Sequence, residues 1–296
     1  MAQITTSSTL FEPELVKDIF SKVKGHSSLA ALCGSAAIPF AGTEYFVFSM
    51  DGEASIVGEG AKKPAGEADW GKVTIKPIKF IYQHRLTDEF IHMSEEKQLP
   101  YLAQFTDGFA KKIARALDIA AFHGVNPATN TASNLIGNNC FDQKVSNTIT
   151  ITTLPPDDDI DSAATLIQTA DGDISGIAMS NTFAASLGRM KTADSHLPVY
   201  PEFRFGAKPK SFSGLSCDVN NTLSFGSSKD RALIGDFANA FKWGFAENVP
   251  LEIIPYGNPD GKGDLKESNE IVLRSEAYIG WGILVPESFA FIKEGT

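Results

Sequence analysis

Between Gly58 and Phe80 the chain reads GEGAKKPAGEADWGKVTIKPIKF, and no other stretch limits the possible folds as strongly. Its first half is small, charged or turn-forming residues around Trp70, and its second half alternates as a strand does. An aromatic and β-branched run, EYFVFSM from Glu44 to Met50, precedes it and reads as the partner strand. The connection between the two strands is about twenty residues of glycine-rich sequence, longer than a compact domain usually carries without structure of its own. A lone two-stranded hairpin is at best marginally stable in water, so this one must lean on something outside itself. The return strand is expected to run on as KVTIKPIKFIYQHRL. In it the apolar phase moves from Val73 and Ile75 to Ile78, Phe80 and Tyr82, which predicts a bulge or twist at Pro77.

Helical spacing is clearest in LPYLAQFTDGFAKKIARALDIAAFHG, where Leu102, Phe105, Phe109, Ile113, Ala116, Leu117 and Ala120 form one apolar stripe. With Pro100 near the start and Gly124 as the stop, this predicts a helix over about 99–123, long enough to serve as a backbone for other parts. Upstream, Leu15, Ile19 and Val23 recur at helical spacing in LVKDIFSKV and predict a short amphipathic helix in an N-terminal arm. Downstream, the acidic LPPDDDIDSAATLIQTA predicts a helix over 158–169, GIAMS a buried strand, and NTFAASLGRM a helix capped by Asn181. The stretch from His196 to Gly214 reads as extended. Strands are expected at TITITTL, SCDVNNTL, ALIGDF, FKWGF, PLEIIPY, NEIVLRSEAYIGWGILV and FAFIK. Helices early and mixed elements late, without a βαβ rhythm, give an α+β class.

Composition excludes several roles. No apolar run approaches membrane-spanning length, and the start MAQITTSSTLFEPEL has neither the basic nor the apolar region of a leader, so a secreted or membrane protein is not expected. The formal charge of -10 argues against gripping DNA through phosphates, while leaving open a protein that merely encloses it. Cys33, Cys140 and Cys217 are odd in number and widely spaced, which favours buried free thiols over disulfides or a zinc site.

No catalytic motif survives inspection of its spacing. Gly172-Asp173-Ile174-Ser175-Gly176 has its serine one place late for a nucleophile elbow. GNPDGKG, Gly257 to Gly263, is one residue short of a phosphate loop and has Gly263 in place of the metal-binding hydroxyl, so Asn258-Pro259-Asp260-Gly261 reads as a turn. Asp157, Asp158, Asp159 and Asp161 lack the alternation and closing glutamate of a calcium loop and read as helix capping. His26, His84, His92, His123 and His196 are scattered, which points to surface or satisfied core roles. Catalytic, cofactor and metal residues are therefore expected to be none, and the chain is not expected to be an enzyme.

The order of features resembles the major capsid proteins of tailed phages, the Hong Kong 97 fold, over nearly the whole chain. IVGEGAKKPAGEADWGKVTIKPIKFIYQHRLTDEFI is similar to that family's extended loop, GFAKKIARALDIAAFHG to its spine helix, ISGIAMSNTFAASLGRMKTADSHLPVYPEF to its axial domain, and ALIGDFANAFKWGFAENVPLEIIPY with IVLRSEAYIGWGILVPESFAFIKEG to its closing strands. The resemblance implies an N-terminal arm over 1–43, a two-stranded extended loop over 44–82, a peripheral domain with the spine helix over 83–155, an axial domain over 156–262, and shared closing strands over 263–296. It implies an intersubunit loop carried by Gly58, Glu59, Gly60, Lys62, Lys63, Trp70 and Lys72, and a helix core face of Leu102, Phe105, Phe109, Ile113 and Leu117. The implied function is a shell of hexamers and pentamers in the virion, assembled in the host cytoplasm around double-stranded DNA, with the chain itself as main partner. A scaffolding protein, separate or already removed, a portal and decoration proteins complete the implied partners. Some relatives cross-link a loop lysine to an asparagine. Here Lys62, Lys63, Lys72 and Lys76 lie in the corresponding loop and Asn248, Asn258 and Asn269 are possible acceptors, but no triplet with a glutamate matches. An encapsulin-like compartment with a cargo enzyme and a soluble α+β enzyme with a non-local site are the alternatives.

Overall fold

The computed structural model describes residues 26–51, 55–63, 65, 67–151, 155–246 and 251–295. The arm helix expected around Leu15, Ile19 and Val23 lies outside the described residues, as does Asn248. The elements in chain order are α1 (Ser28–Leu32), β1 (Thr43–Asp51), β2 (Glu67–Ile75), β3 (Ile78–Thr87), α2 (Glu89–His92), α3 (Glu95–His123), β4 (Val125–Asn126), β5 (Thr131–Ala132), α4 (Phe141–Lys144), β6 (Thr148–Thr150) and α5 (Pro156–Gln168). They continue with β7 (Gly176–Met179), α6 (Asn181–Arg189), a 3-10 turn (Pro201–Gly206), β8 (Ser211–Phe212), β9 (Leu215–Val219), β10 (Asp230–Gly235), β11 (Phe241–Phe245), β12 (Leu251–Ile254), β13 (Glu270–Ile283) and β14 (Phe289–Lys293).

Two sheets carry the fold. In the first, β13 is central and wholly antiparallel to its neighbours, with β3 along one edge and β11 and β12 in succession along the other. The second has the order β6-β14-β10-β7-β9-β8 and is mixed, with β14 parallel to β6 and β7 parallel to β9. It is buried on both faces, and strand alternation divides its side chains between two cores. Ala178, Leu233, Phe289 and Phe291 face a core shared with α3, α4 and the first sheet. Ile177, Met179, Ala232, Ile234, Ala290 and Ile292 face a second core roofed by α5, α6 and Phe203 of the 3-10 turn. Phe141 sits at the centre of the first core, its ring centroid 5.0 Å from Phe289, 5.4 Å from Phe241 and 5.7 Å from Phe122.

Several sequence expectations need correction. Pro77 marks no bulge within a strand: β2 ends at Ile75 and β3 begins at Ile78, so the chain leaves one sheet and joins another at a residue that has no N–H to give a ladder. The long helix starts four residues before the expected position, at Glu95, and Pro100 lies inside it. It ends as expected at Gly124, whose φ of 68° is left-handed and whose missing Cβ would stand 2.8 Å from the Cys140 thiol. Helix α5 starts at Pro156, a proline at the first helical position, and runs only to Gln168. Ser180 rather than Asn181 caps α6, its Oγ accepting from the Phe183 N–H at 3.3 Å. The stretch from His196 to Gly214 is not extended throughout, because the 3-10 turn lies within it. Strands β11 and β12, close in sequence to the second sheet's β10, pair with β13 in the first.

Candidate functional site

The candidate site is a surface. Strands β1 and β2 pair in nine-residue register from Thr43 opposite Ile75 to Asp51 opposite Glu67, in a two-stranded sheet of their own. Because side chains alternate across a pleat, the pairs Phe46–Lys72 and Phe48–Trp70 share one face, and Thr43–Ile75 and Tyr45–Val73 share the other. The second face is the attached one. Ile75 is fully buried against β13, where Gly280 and Gly282 leave it room: a Cβ on either would stand within 2.9 Å of the Ile75 side chain. The glycines of IGWGIL thus form the seat of the hairpin's root.

The first face is open. Phe46, Phe48 and Trp70 are 64%, 47% and 68% exposed, and Trp70 meets both phenylalanines edge-on at 6.3 and 5.4 Å. Lys72 pairs with Glu44 at 2.6 Å on the same face. At the far end Gly58, Glu59, Gly60, Lys62 and Lys63 lie in an exposed turn closed by Ala61 N–H donating to Gly58, with Gly60 at a φ of 79°. An exposed aromatic cluster on a projecting hairpin is the composition of an interface core, since large apolar groups rimmed by charge mark protein contact sites.

The spine-helix residues lie elsewhere. Phe109, Ile113 and Leu117 are buried in the first core. Leu102 and Phe105 pack with Phe90, Ile271 and Leu273 in a smaller cluster beside it. Asp157, Asp158 and Asp159 occupy the first turn of α5, where negative charge favours the helix dipole. The three cysteines are free and buried, and burial pushes Cys33 up to about 11 and Cys217 to about 12. Of the candidate acceptors, Asn258 takes a hydrogen bond from Gly263 N–H at 3.1 Å, and Asn269 adopts a φ of 50°.

Among the described residues, three charged constellations escaped the sequence reading, because each joins side chains about ninety residues or more apart in the chain and leaves no local pattern. Arg85 makes a two-pronged contact with Asp260 at 2.9 and 2.6 Å, reaches Glu270 at 2.7 Å and donates to the Gly263 carbonyl at 2.8 Å. The turn Asn258 to Gly261 is therefore tied to β3, and the Arg85 guanidinium holds the Asp260 carboxyl down at about 2. Asp118, fully buried on α3, accepts from Ser27 Oγ at 2.5 Å, Ser28 N–H at 2.8 Å, Leu29 N–H at 3.2 Å and Thr222 Oγ1 at 2.8 Å. Burial raises its carboxyl to about 6 against the opposing pull of those four donors, and the contact fixes where the chain meets the helix. The third joins His123 to Asp142, Asp230 and Lys293.

Comparison with known proteins identifies the family. A family model described as the phage capsid family matches residues 8–293. Among solved structures, a chain of Mycobacterium phage Ogopogo is 30% identical, with a TM-score of 0.80 over 91% of this chain and 92% of that one. A chain of Gordonia phage Cozz is 20% identical, with a TM-score of 0.72 over 99% and 92% of the two chains. A structure described as the capsid of a native GTA particle shares the fold at 12% identity and a TM-score of 0.60, over 100% and 95%. A search of curated proteins returns no match. Neither the compartment nor the enzyme reading is favoured by these relatives. The matches run through both sheets, the long helix and the hairpin alike, and the chain belongs to the phage capsid family: it is a major capsid protein, a structural component of the virion shell.

Proposed function

We propose that this capsid protein assembles as hexamers and pentamers into an icosahedral shell around double-stranded DNA, and that the β1–β2 hairpin is its main intersubunit element. The observation that carries the reading is the aromatic face of Phe46, Phe48 and Trp70, left open on a hairpin whose other face is seated on its own subunit. A second copy of the chain supplies the missing surface, so that Gly58, Glu59, Gly60, Lys62, Lys63, Trp70 and Lys72 meet a neighbour. In this reading 44–82 is the extended loop, α3 the spine helix, and the six-stranded sheet with α5 and α6 the axial part. The net charge of -10 suits a wall that encloses DNA without reading its sequence. A scaffolding protein, a portal and decoration proteins are the further partners.

Deleting Gly60 to Asp69 from the full chain tests the hairpin's role. The variant is expected to stay folded by circular dichroism and to form no shells by electron microscopy. Normal shells from the variant, or an unfolded subunit, would each refute the assignment.

A further inference from the structure

His123 is the last residue of α3, and its side chain is 7% exposed. Its Nε2 lies 3.1 Å from the Thr222 carbonyl oxygen, an atom that only accepts, so Nε2 carries a proton. Its Nδ1 lies 2.7 Å from Asp142 Oδ2 and 3.6 Å from Asp230 Oδ2. Lys293 Nζ stands 2.9 Å from Asp230 Oδ1 and 3.4 Å from Asp142 Oδ1, and Ser228 Oγ donates to Asp230 Oδ2 at 2.7 Å. An ammonium therefore faces both carboxylates. Acceptors at both ring nitrogens are the arrangement that an imidazolium requires. The side chains of His123 and Asp230 are buried in this site, and those of Asp142 and Lys293 are partly exposed.

We propose that His123 is a protonated lock joining the C-terminal end of the long helix to the six-stranded sheet, and that raising the pH opens it. The members come from different bodies: His123 from α3, Asp142 from α4, Asp230 from β10 and Lys293 from β14. Through Thr222, whose carbonyl accepts from His123 and whose hydroxyl donates to Asp118, the lock is continuous with the contact that holds Ser27 to Leu29. The other charged groups around it are Lys229 at the mouth of a cavity of about 360 Å³, donating to the Gly295 carbonyl, and the Arg231–Glu294 ion pair. Burial pushes His123 down, but its hydrogen bond to Asp142 and that residue's charge outweigh it and leave it above 6.5. Burial and the charge of Asp142 push Asp230 up, so loss of the imidazolium leaves two crowded carboxylates with one cation. A histidine raised in the folded state contributes stability that is complete below its unfolded value and lost as pH climbs through the folded one. The imidazolium's contribution is therefore complete below the ring's unfolded value and lost as pH rises through its raised folded value, while protonation of Asp230 weakens the contact from the acid side.

The test is nitrogen NMR of the full chain with 15N-labelled histidine, the His123 ring being assigned from its contacts with Thr222 so that no variant is needed. Nδ1 should lose its proton at a higher pH than the ring of free histidine does, with Nε2 staying protonated throughout. Loss of the Nδ1 proton at or below the pH of free histidine would overturn the proposal. Thermal unfolding followed from pH 6.5 upward provides a second readout. The wild-type midpoint should fall as pH rises through the folded value of His123, and the His123→Gln chain should lose most of that dependence. Parallel falls in the two proteins would equally overturn it.

Discussion

Replacing Trp70 with alanine separates assembly from folding. A tryptophan side chain offers about 200 Å² of contact area. With 68% of Trp70 exposed in the subunit, about 140 Å² awaits a neighbour, worth about 3–4 kcal/mol at about 25 cal per Å². At about 1.4 kcal/mol per tenfold change, the subunit concentration needed for assembly should rise on the order of a hundredfold. The effect on the isolated subunit is of another size. Inside the chain the substitution removes the edge-on contacts to Phe46 and Phe48, each worth about 0.5–1.5 kcal/mol, in a hairpin whose described residues belong to none of the three core clusters. Together the two contacts come to about 1–3 kcal/mol, and at about 1.6 °C per kcal/mol for a chain of 296 residues the melting midpoint should move by less than about 5 °C. Light scattering against subunit concentration, with electron microscopy of the product, measures the first quantity, and circular dichroism the second. Assembly at a concentration within about threefold of wild type would refute the reasoning, because a group covered by a neighbour cannot be removed at so small a cost. So would a variant whose midpoint collapses, since Trp70 would then belong to the subunit's own core.

Gly244→Ala should loosen the segment that leads into the hairpin. A Cβ there would stand 1.5 Å from the Ala36 carbonyl oxygen, and residues 36–38 lie on β11 through Ala36 N–H to Trp243 at 2.9 Å and Ile38 N–H to Phe245 at 3.1 Å. Overpacking of about 1–3 kcal/mol and two lost backbone bonds of about 1 kcal/mol each predict a clear fall in the unfolding midpoint, and an unchanged midpoint would contradict it. Arg85→Lys keeps the charge but loses the planar fork that grips Asp260, so proteolysis within residues 256–264 should quicken with the global midpoint little changed. Equal cleavage rates in the two proteins would show that the fork is not what holds the turn.

The long helix was legible because its core face repeats locally: Phe109, Ile113 and Leu117 announce a buried stripe whatever they touch. Gly124 was legible as its end for a similar reason, since a left-handed stop needs a glycine at that place. The hairpin was legible as a deficit, two alternating strands with nothing nearby to cover them. Pro77 was misread because the choice between a bulge and a change of sheet depends on β13, some two hundred residues later, offering an edge to β3. Asn181 was misread as a cap because Ser180, beside it, has equal chemistry, and only the backbone decides which residue stands outside the helix.

The charged constellations mark the limit of the sequence alone. Local spacing determines periodicity, helix ends and turn chemistry, since each is settled among residues within a turn or a strand of one another. It determined here the α+β class, the long helix and the unpartnered hairpin. Tertiary structure decided that Arg85 meets Asp260, that Asp118 receives Ser27 and Thr222, and that His123 lies between two aspartates and a lysine. A buried charge takes its state from whatever the fold brings within a few ångströms, and that distance is set by packing rather than by position along the chain.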